Sequence, residues 1–191
     1  MKITIAPALA TLCLLLAGCG GADSRNDAER VSTTEGDNSL AVTIGEIPEL
    51  STANGIISNA GLEDPFNGAG SYTIFLPDNA AFARLPKEEL DRLESADGRS
   101  GVIAILRTHI ATGVIAPEDL DGELEVNGGT FELTSVADEP MIVREVDGRI
   151  VVGEGDDAPH LTGVSRSAAN GVVYVLDGFI PGEGRSAVGA D

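Results

Sequence analysis

The chain holds two histidines, His109 and His160, so catalytic triads and zinc sites have little material to draw on. In Leu106-Arg107-Thr108-His109-Ile110 the imidazole falls on the apolar face of a helical pattern. Two readings stay open for His109: a buried ring whose nitrogens bond nearby backbone, or a ligand-binding histidine. His160 ends the stretch Asp156-Asp157-Ala158-Pro159-His160 and reads as a loop residue. A metal held there with Asp156 and Asp157 is the alternative, although the ligand pattern of a calcium loop is missing. The remaining carboxylate pairs, Glu88-Glu89, Glu118-Asp119 and Asp138-Glu139, are scattered. They suit a solvated surface, or else an acidic docking face for a cationic partner. The sequence contains no Gly-x-Ser-x-Gly elbow, no Gly-Lys-Ser/Thr phosphate loop and no Cys-x-x-Cys pair. A non-enzyme is therefore expected, with no cofactor and no metal. Phe66, in Asp64-Pro65-Phe66-Asn67-Gly68, reads as an exposed loop aromatic and a candidate binding residue.

Cys19 offers a different chemistry. Met1-Lys2 is followed by an apolar stretch, Ile3 to Leu16, interrupted at Thr4, Pro7 and Thr11. A membrane-spanning helix needs about 20 apolar residues, so this shorter run reads as the hydrophobic region of a secretory signal. It ends in Leu16-Ala17-Gly18-Cys19, which resembles the bacterial lipobox, where the cysteine thiol receives a diacylglyceryl group. Cys13 leaves with the signal and Cys19 is blocked by lipid, so no intrachain disulfide is expected. A doubly acylated anchor holds a membrane stably at about 0.8 kcal/mol per buried methylene, without help from the protein surface. Gly20 stands where an Asp would resemble the inner-membrane retention signal of Gram-negative lipoproteins, which favours the outer membrane of the cell envelope.

Composition narrows the remaining classes. Twelve Lys and Arg stand against 31 Asp and Glu, a net charge of −19, and phosphate backbones would repel such a chain. No nucleic-acid partner is expected. With 42% hydrophobic residues in 191, the chain can form one ordinary domain with a buried core. Gly20 to about Ser39 is polar and unpatterned, as is the stretch beyond Pro181. The expected organisation is a signal peptide over 1–18, lipidated Cys19 and a flexible linker over 19–39, a folded unit over 40–181 and a disordered tail over 182–191.

Helices come first in the folded unit and strands later, which points to an α+β domain with a largely antiparallel sheet. Val42, Ile44, Ile47 and Leu50 begin a helical face that resumes at Ile56-Ile57 after a break near Ser51. Tyr72 to Leu76 is a β-type run closed by Pro77, and Asp78 is placed to cap the helix that follows. Pro86 suits a helix start with Glu88 and Glu89 in its first turn. Ser100 is a further candidate cap, ahead of Val102, Ile105, Leu106, His109 and Ile110 on one face. Leu124-Glu125-Val126 and Thr130 to Leu133 flank Asn127-Gly128-Gly129 and predict a hairpin. Asp147-Gly148, between Met141–Val146 and Arg149–Val152, predicts a second, and Val172 to Leu176 is a last β-branched run.

Three segments carry a family resemblance. Tyr72-Thr73-Ile74-Phe75-Leu76-Pro77-Asp78-Asn79-Ala80-Ala81-Phe82-Ala83-Arg84-Leu85-Pro86 closely resembles the first conserved motif of fasciclin domains. Asn170-Gly171-Val172-Val173-Tyr174-Val175-Leu176-Asp177-Gly178-Phe179-Ile180-Pro181 is similar to the second, and Leu106 to Ile110 with Gly113 matches the central histidine segment. The resemblance implies a single fasciclin domain, an antiparallel β-wedge with a cluster of short helices, in which Asp78 and His109 are structural motif residues. Thr108 replaces a tyrosine often found before the central histidine, and Tyr174 stands where a histidine is common. Tyr174 joins Phe66 as a candidate binding-surface residue on that ground. The function implied is a non-enzymatic, lipid-anchored adhesion module of the bacterial envelope that binds an extracytoplasmic protein or polysaccharide. The alternative from the same resemblance is a carrier of a small apolar ligand, a carotenoid or another lipid.

Overall fold

The computed structural model describes residues 36–137 and 139–182. The signal segment, Cys19, the linker up to Glu35, Asp138 and the tail beyond Gly182 lie outside the described residues.

The Ser39 side chain accepts the Val42 N–H and opens α1 (Leu40–Gly45). A short 3-10 turn, Pro48–Leu50, leads into α2 (Ser51–Asn59). The helical face breaks ahead of Pro48 rather than near Ser51, because proline has no N–H with which to continue α1. Val42, expected on the buried stripe, is 48% exposed. β1 (Tyr72–Pro77) follows, and the Asp78 carboxylate accepts the Ala81 N–H at 2.6 Å to start α3 (Asn79–Ala83). Pro86 precedes α4 (Lys87–Glu94), whose first turn holds Glu88 and Glu89. α5 (Arg99–His109) starts directly after Gly98 with no side-chain cap, so Ser100 lies inside its first turn instead of capping it. Val102, Leu106 and His109 are buried along its inner face.

The first expected hairpin is a helix end. After β2 (Ile110–Thr112), residues that read as strand belong to α6 (Pro117–Val126), which has Pro117 at its first position and Glu118 and Asp119 in its first turn. Asn127-Gly128-Gly129 terminates it: the Gly129 N–H reaches Leu124 O at 2.7 Å and the Gly128 N–H reaches Glu125 O at 3.3 Å. Those two bonds are the crossed pair of a Schellman motif. Both glycines have positive φ, a requirement shared by tight hairpins and helix stops, and this is why the tripeptide misled. Leu120 and Leu124 face the core while Val126 is 85% exposed.

β3 (Thr130–Thr134), β4 (Pro140–Val146) and β5 (Arg149–Val152) form an antiparallel three-stranded sheet in that order. The β4–β5 turn is the expected one, pairing Val146 with Arg149 across Asp147 and Gly148. β6 (Leu161–Ala168) and β7 (Gly171–Leu176) complete a second, four-stranded sheet, ordered β2-β1-β7-β6. Its pairs are antiparallel except for the central β1–β7 pair, which is parallel from Tyr72↔Gly171 to Pro77↔Leu176. Single bridges, Ala111↔Ser135 and Val151↔His160, join the two sheets at both margins. The strands thus enclose a wedge.

Strand alternation sorts the core into two halves. Ile74, Leu76, Val173 and Val175 point to the helical side, where they meet Leu40, Ile44, Ile56, Phe82 and Leu106. Phe75, Val172, Tyr174 and Leu176 point into the wedge, with Leu120, Leu124, Met141, Val143 and Val152. Both faces of β1 and β7 are therefore covered, which explains their unbroken apolar sequences.

Candidate binding surface

His109 is 1% exposed at the end of α5, with its ring edge-on to Phe179 at 6.2 Å. Nδ1 lies 2.8 Å from Ile105 O, and the Ile180 N–H reaches Nε2 at 3.0 Å. A backbone N–H can only donate, so Nε2 is the acceptor and Nδ1 carries the proton it gives to the Ile105 carbonyl. Burial holds the imidazole neutral, with its pKa pulled down to about 4, the Ile105 hydrogen bond opposing the shift. The adjoining pocket, bounded by Leu85, Ile105 and Phe179, has a volume of about 10 Å³. Such a space admits no more than about one water, and the ring ties the second motif to α5.

Two sequence expectations fail on burial. Phe66 is 3% exposed and belongs to the helical-side core, because Asn170 draws its loop inward. The Asn170 Nδ2 donates to Phe66 O at 3.0 Å and Gly68 O at 2.8 Å, while its Oδ1 accepts the Leu40 N–H at 2.8 Å. Sequence reasoning placed Asn170 only at the head of the second motif and missed this role; no local pattern announces bonds spanning 130 and 104 residues. Tyr174 is likewise 3% exposed, stacked on Phe75 with centroids 5.2 Å apart and donating its hydroxyl to Ile115 O at 2.9 Å. Its phenol is pushed up first by burial and then by the carboxylates of Glu118, Asp119 and Asp121. Phe66 is not a surface contact residue, and Tyr174 meets open space only where it lines the seam groove.

His160 sits in a polar clasp. The Asp177 Oδ1 accepts the His160 backbone N–H at 2.7 Å, and Oδ2 lies 3.3 Å from His160 Nδ1 and 3.4 Å from Arg149 Nη2. Arg84 donates to the Asp177 carbonyl. These contacts tie the ends of β5, β6 and β7 together at the wedge margin. Among the described residues, no group of three or more His, Cys, Asp or Glu side chains is placed to hold a metal.

Open space lies on the outside of the wedge. The apolar pocket between α2, α5 and β1, lined by Ile56, Leu76 and Leu106, has about 20 Å³, far below the several hundred Å³ that a drug-sized ligand fills. A carotenoid does not fit there. One cleft of about 490 Å³ runs from Ser135 and Glu139 past Met141 to Glu154 and Pro181. A second, of about 470 Å³, opens along the seam where β5 and β6 part beyond the Val151↔His160 bridge. Leu120, Ile150, Leu161 and Tyr174 supply its apolar surface, and Pro117 and Asp121 of α6 form one wall. The β6 pairing slips between Leu161 and Ser165, where Thr162 Oγ1 accepts the Val164 N–H and donates to Val175 O. This bulge turns β6 away from β5 and leaves the seam open.

A wedge of two sheets closed by marginal bridges and backed by short helices, with a neutral histidine pinning its last motif, defines the fasciclin class. The chain belongs to the fasciclin-domain family, whose model matches residues 48–181. It is similar to protein sll1483 of Synechocystis sp., 28% identical over 144 residues that cover 73% of each chain. Immunogenic protein MPB70 of Mycobacterium bovis is 27% identical over 186 residues, 94% of this chain and 88% of that one. Cell surface glycolipoprotein MPB83 of the same species is 31% identical over 109 residues, 54% of this chain and 48% of that protein. Among solved structures, the FAS1 domain pair of the insect cell adhesion molecule Fasciclin I superposes with a TM-score of 0.65 at 19% identity. That match covers 78% of this chain and 52% of the pair, so the chain spans about half of it. The fold shared is the fasciclin fold.

Proposed function

We propose that this protein is a non-catalytic binding module, moored to the bacterial envelope through lipid on Cys19, that recognises an extracytoplasmic protein or polysaccharide. The observation that carries the reading is the seam: a groove of about 470 Å³ with a mixed polar and apolar lining, framed by β5, β6 and α6. Rigid framing lowers the ordering cost of recognition, which is what a contact surface needs. The imidazole that the family motif supplies is committed at both nitrogens to backbone, so it has no proton to exchange with a substrate. Relatives named as a cell surface glycolipoprotein and as immunogenic proteins support an envelope setting. The lipobox-like Leu16-Ala17-Gly18-Cys19 supports the anchor, and the outer membrane is its proposed site in a Gram-negative source.

The test compares cells that lack the protein, cells that produce it, and cells that produce Ser165→Arg. Deletion is expected to reduce surface attachment or aggregation, and Ser165→Arg, which places a long cation in the groove on the face shared with Tyr174, to reproduce the deletion. Attachment unchanged in the deletion strain would reject the binding reading. Separately, Cys19→Ser is expected to move the protein from the membrane to the soluble fraction; retention would reject lipid mooring.

A further inference from the structure

β4 is longer than the strand beside it. Its pairing with β5 runs from Val146↔Arg149 to Val143↔Val152 and stops, whereas its pairing with β3 continues to Pro140. Gly153 gives its N–H to Ile142 O at 2.7 Å and then, with φ 107°, turns the chain away. Within a strand a residue's N–H and C=O point to the same side, and a hydrogen-bonded antiparallel pair exchanges two bonds. Ile142 and Gly153 exchange one, because the Gly153 carbonyl takes Arg144 Nε at 3.3 Å instead. The Ile142 N–H and, two residues earlier, the Pro140 carbonyl therefore face the cleft of about 490 Å³ with no strand beside them among the described residues.

The chain leaves through this same cleft. Ile180, Pro181 and Gly182, the last described residues, line it beside Thr108 and Met141. Their path is pinned. His109 Nε2 holds the Ile180 N–H at 3.0 Å, and a methyl on Gly153 would lie 3.1 Å from Pro181 Cδ. A methyl on Gly182 would lie 3.3 Å from Thr108 Cγ2. The segment that follows, Glu183-Gly184-Arg185-Ser186-Ala187-Val188-Gly189-Ala190-Asp191, carries one cation, Arg185. Glu139 and Glu154 line the cleft, and among the described residues neither carboxylate has a hydrogen bond or ion pair. Arg144, on the strand that forms the wall, is committed to the Gly153 and Gly155 carbonyls. Three residues of extended chain span up to about 10 Å, which is reach enough for Arg185 to cross the cleft from Gly182.

We infer that the chain's own segment from Glu183 to about Ser186 fills this cleft as a short strand beside β4, with Arg185 set against Glu139 and Glu154. Tethered at Gly182, the segment is present at high effective concentration, so weak contacts suffice to seat it. Its unpatterned sequence is no obstacle, because an added strand takes its hold from main-chain hydrogen bonds. Seated there, it covers the open end of the β4 ladder, which would otherwise be a template for another chain. The inference goes beyond the binding-module reading and stands whether or not the seam has a partner.

The experiment measures amide hydrogen exchange by mass spectrometry in the full chain, in the same chain ended at Gly182, and in Arg185→Glu. The Ile142 amide, read in peptides covering Glu139–Val143, is expected to exchange roughly fivefold slower in the full chain than in the shortened one, the worth of about one hydrogen bond. Arg185→Glu is expected to lose most of that protection, and adding Glu139→Arg and Glu154→Arg to that variant to restore it. High salt should act as Arg185→Glu does, because the pairs are surface-exposed. Equal exchange at Ile142 in the full and shortened chains would overturn the docking. Protection untouched by Arg185→Glu would overturn the pairing with Glu139 and Glu154. Protection that rises with protein concentration would assign the cleft to the segment of a second copy and overturn the intramolecular assignment. If the shortened chain melts at a lower temperature, Arg185→Glu, which keeps the backbone whole, decides.

Discussion

Replacing His109 by leucine tests the structural role of the imidazole through pH. In the folded chain the ring is 1% exposed and its pKa is pulled down to about 4, against 6.5 for the free side chain. The unfolded chain therefore takes up a proton near pH 6.5 and the folded chain only near 4. The stability that the neutral ring confers is full above 6.5 and is lost as pH falls through 4. Over that window the loss approaches about 3 kcal/mol, from about 1.4 kcal/mol per pKa unit. At neutral pH, leucine removes two hydrogen bonds and strands the Ile180 N–H, while the Ile105 carbonyl keeps the Thr108 hydroxyl, a cost of roughly 2–4 kcal/mol. Urea unfolding of both proteins at about pH 7.5 and about pH 4.5 reads the difference directly. The wild type should lead by roughly 2–4 kcal/mol at the higher pH, and by about 2.5 kcal/mol less at the lower one. Carboxylates titrate alike in both chains and cancel in the comparison. A gap that stays constant with pH would refute the buried neutral ring, because the histidine would then titrate alike in folded and unfolded chains.

Three further substitutions probe the long-range ties. Asn170→Ala removes bonds to Leu40, Phe66 and Gly68 and should cost about 2–3 kcal/mol by urea unfolding; a loss below about 0.5 would show that the loop holds itself. Phe66→Ala should cost about 3 kcal/mol as a core truncation; a variant as stable as the wild type would restore Phe66 to the surface. Gly171→Ala sets a methyl 2.1 Å from the Tyr72 carbonyl oxygen, where β1 and β7 pair, and should lower stability by at least about 1–3 kcal/mol; a neutral melting curve would contradict that close approach.

Much of the frame was legible in the sequence because the signals were local. Asp78 caps α3 by bonding three residues ahead, and Asp147-Gly148 turns between two adjacent strands. Tyr72–Leu76 and Val172–Leu176 were readable as strands from their β-branched and aromatic content. Their parallel pairing was not, since it joins segments about a hundred residues apart. α6 was misread because Asn127-Gly128-Gly129 serves a helix stop as well as a hairpin, although Pro117-Glu118-Asp119 announced a helix start. Phe66 looked exposed because the bonds that bury its loop come from Asn170. The groove itself left no sequence signature: it arises where β6 bulges from β5, a product of sheet closure that no single segment encodes.

Hydrogen–deuterium exchange on the full chain, in its own envelope and after extraction into detergent, tests the binding surface most directly. Exchange in the envelope is expected to slow across Thr162–Ala168 and over Pro117–Asp121, the edge and wall of the seam, with α2 and α4 unchanged. Identical profiles in both states, or protection confined to the helical side, would contradict recognition through the seam.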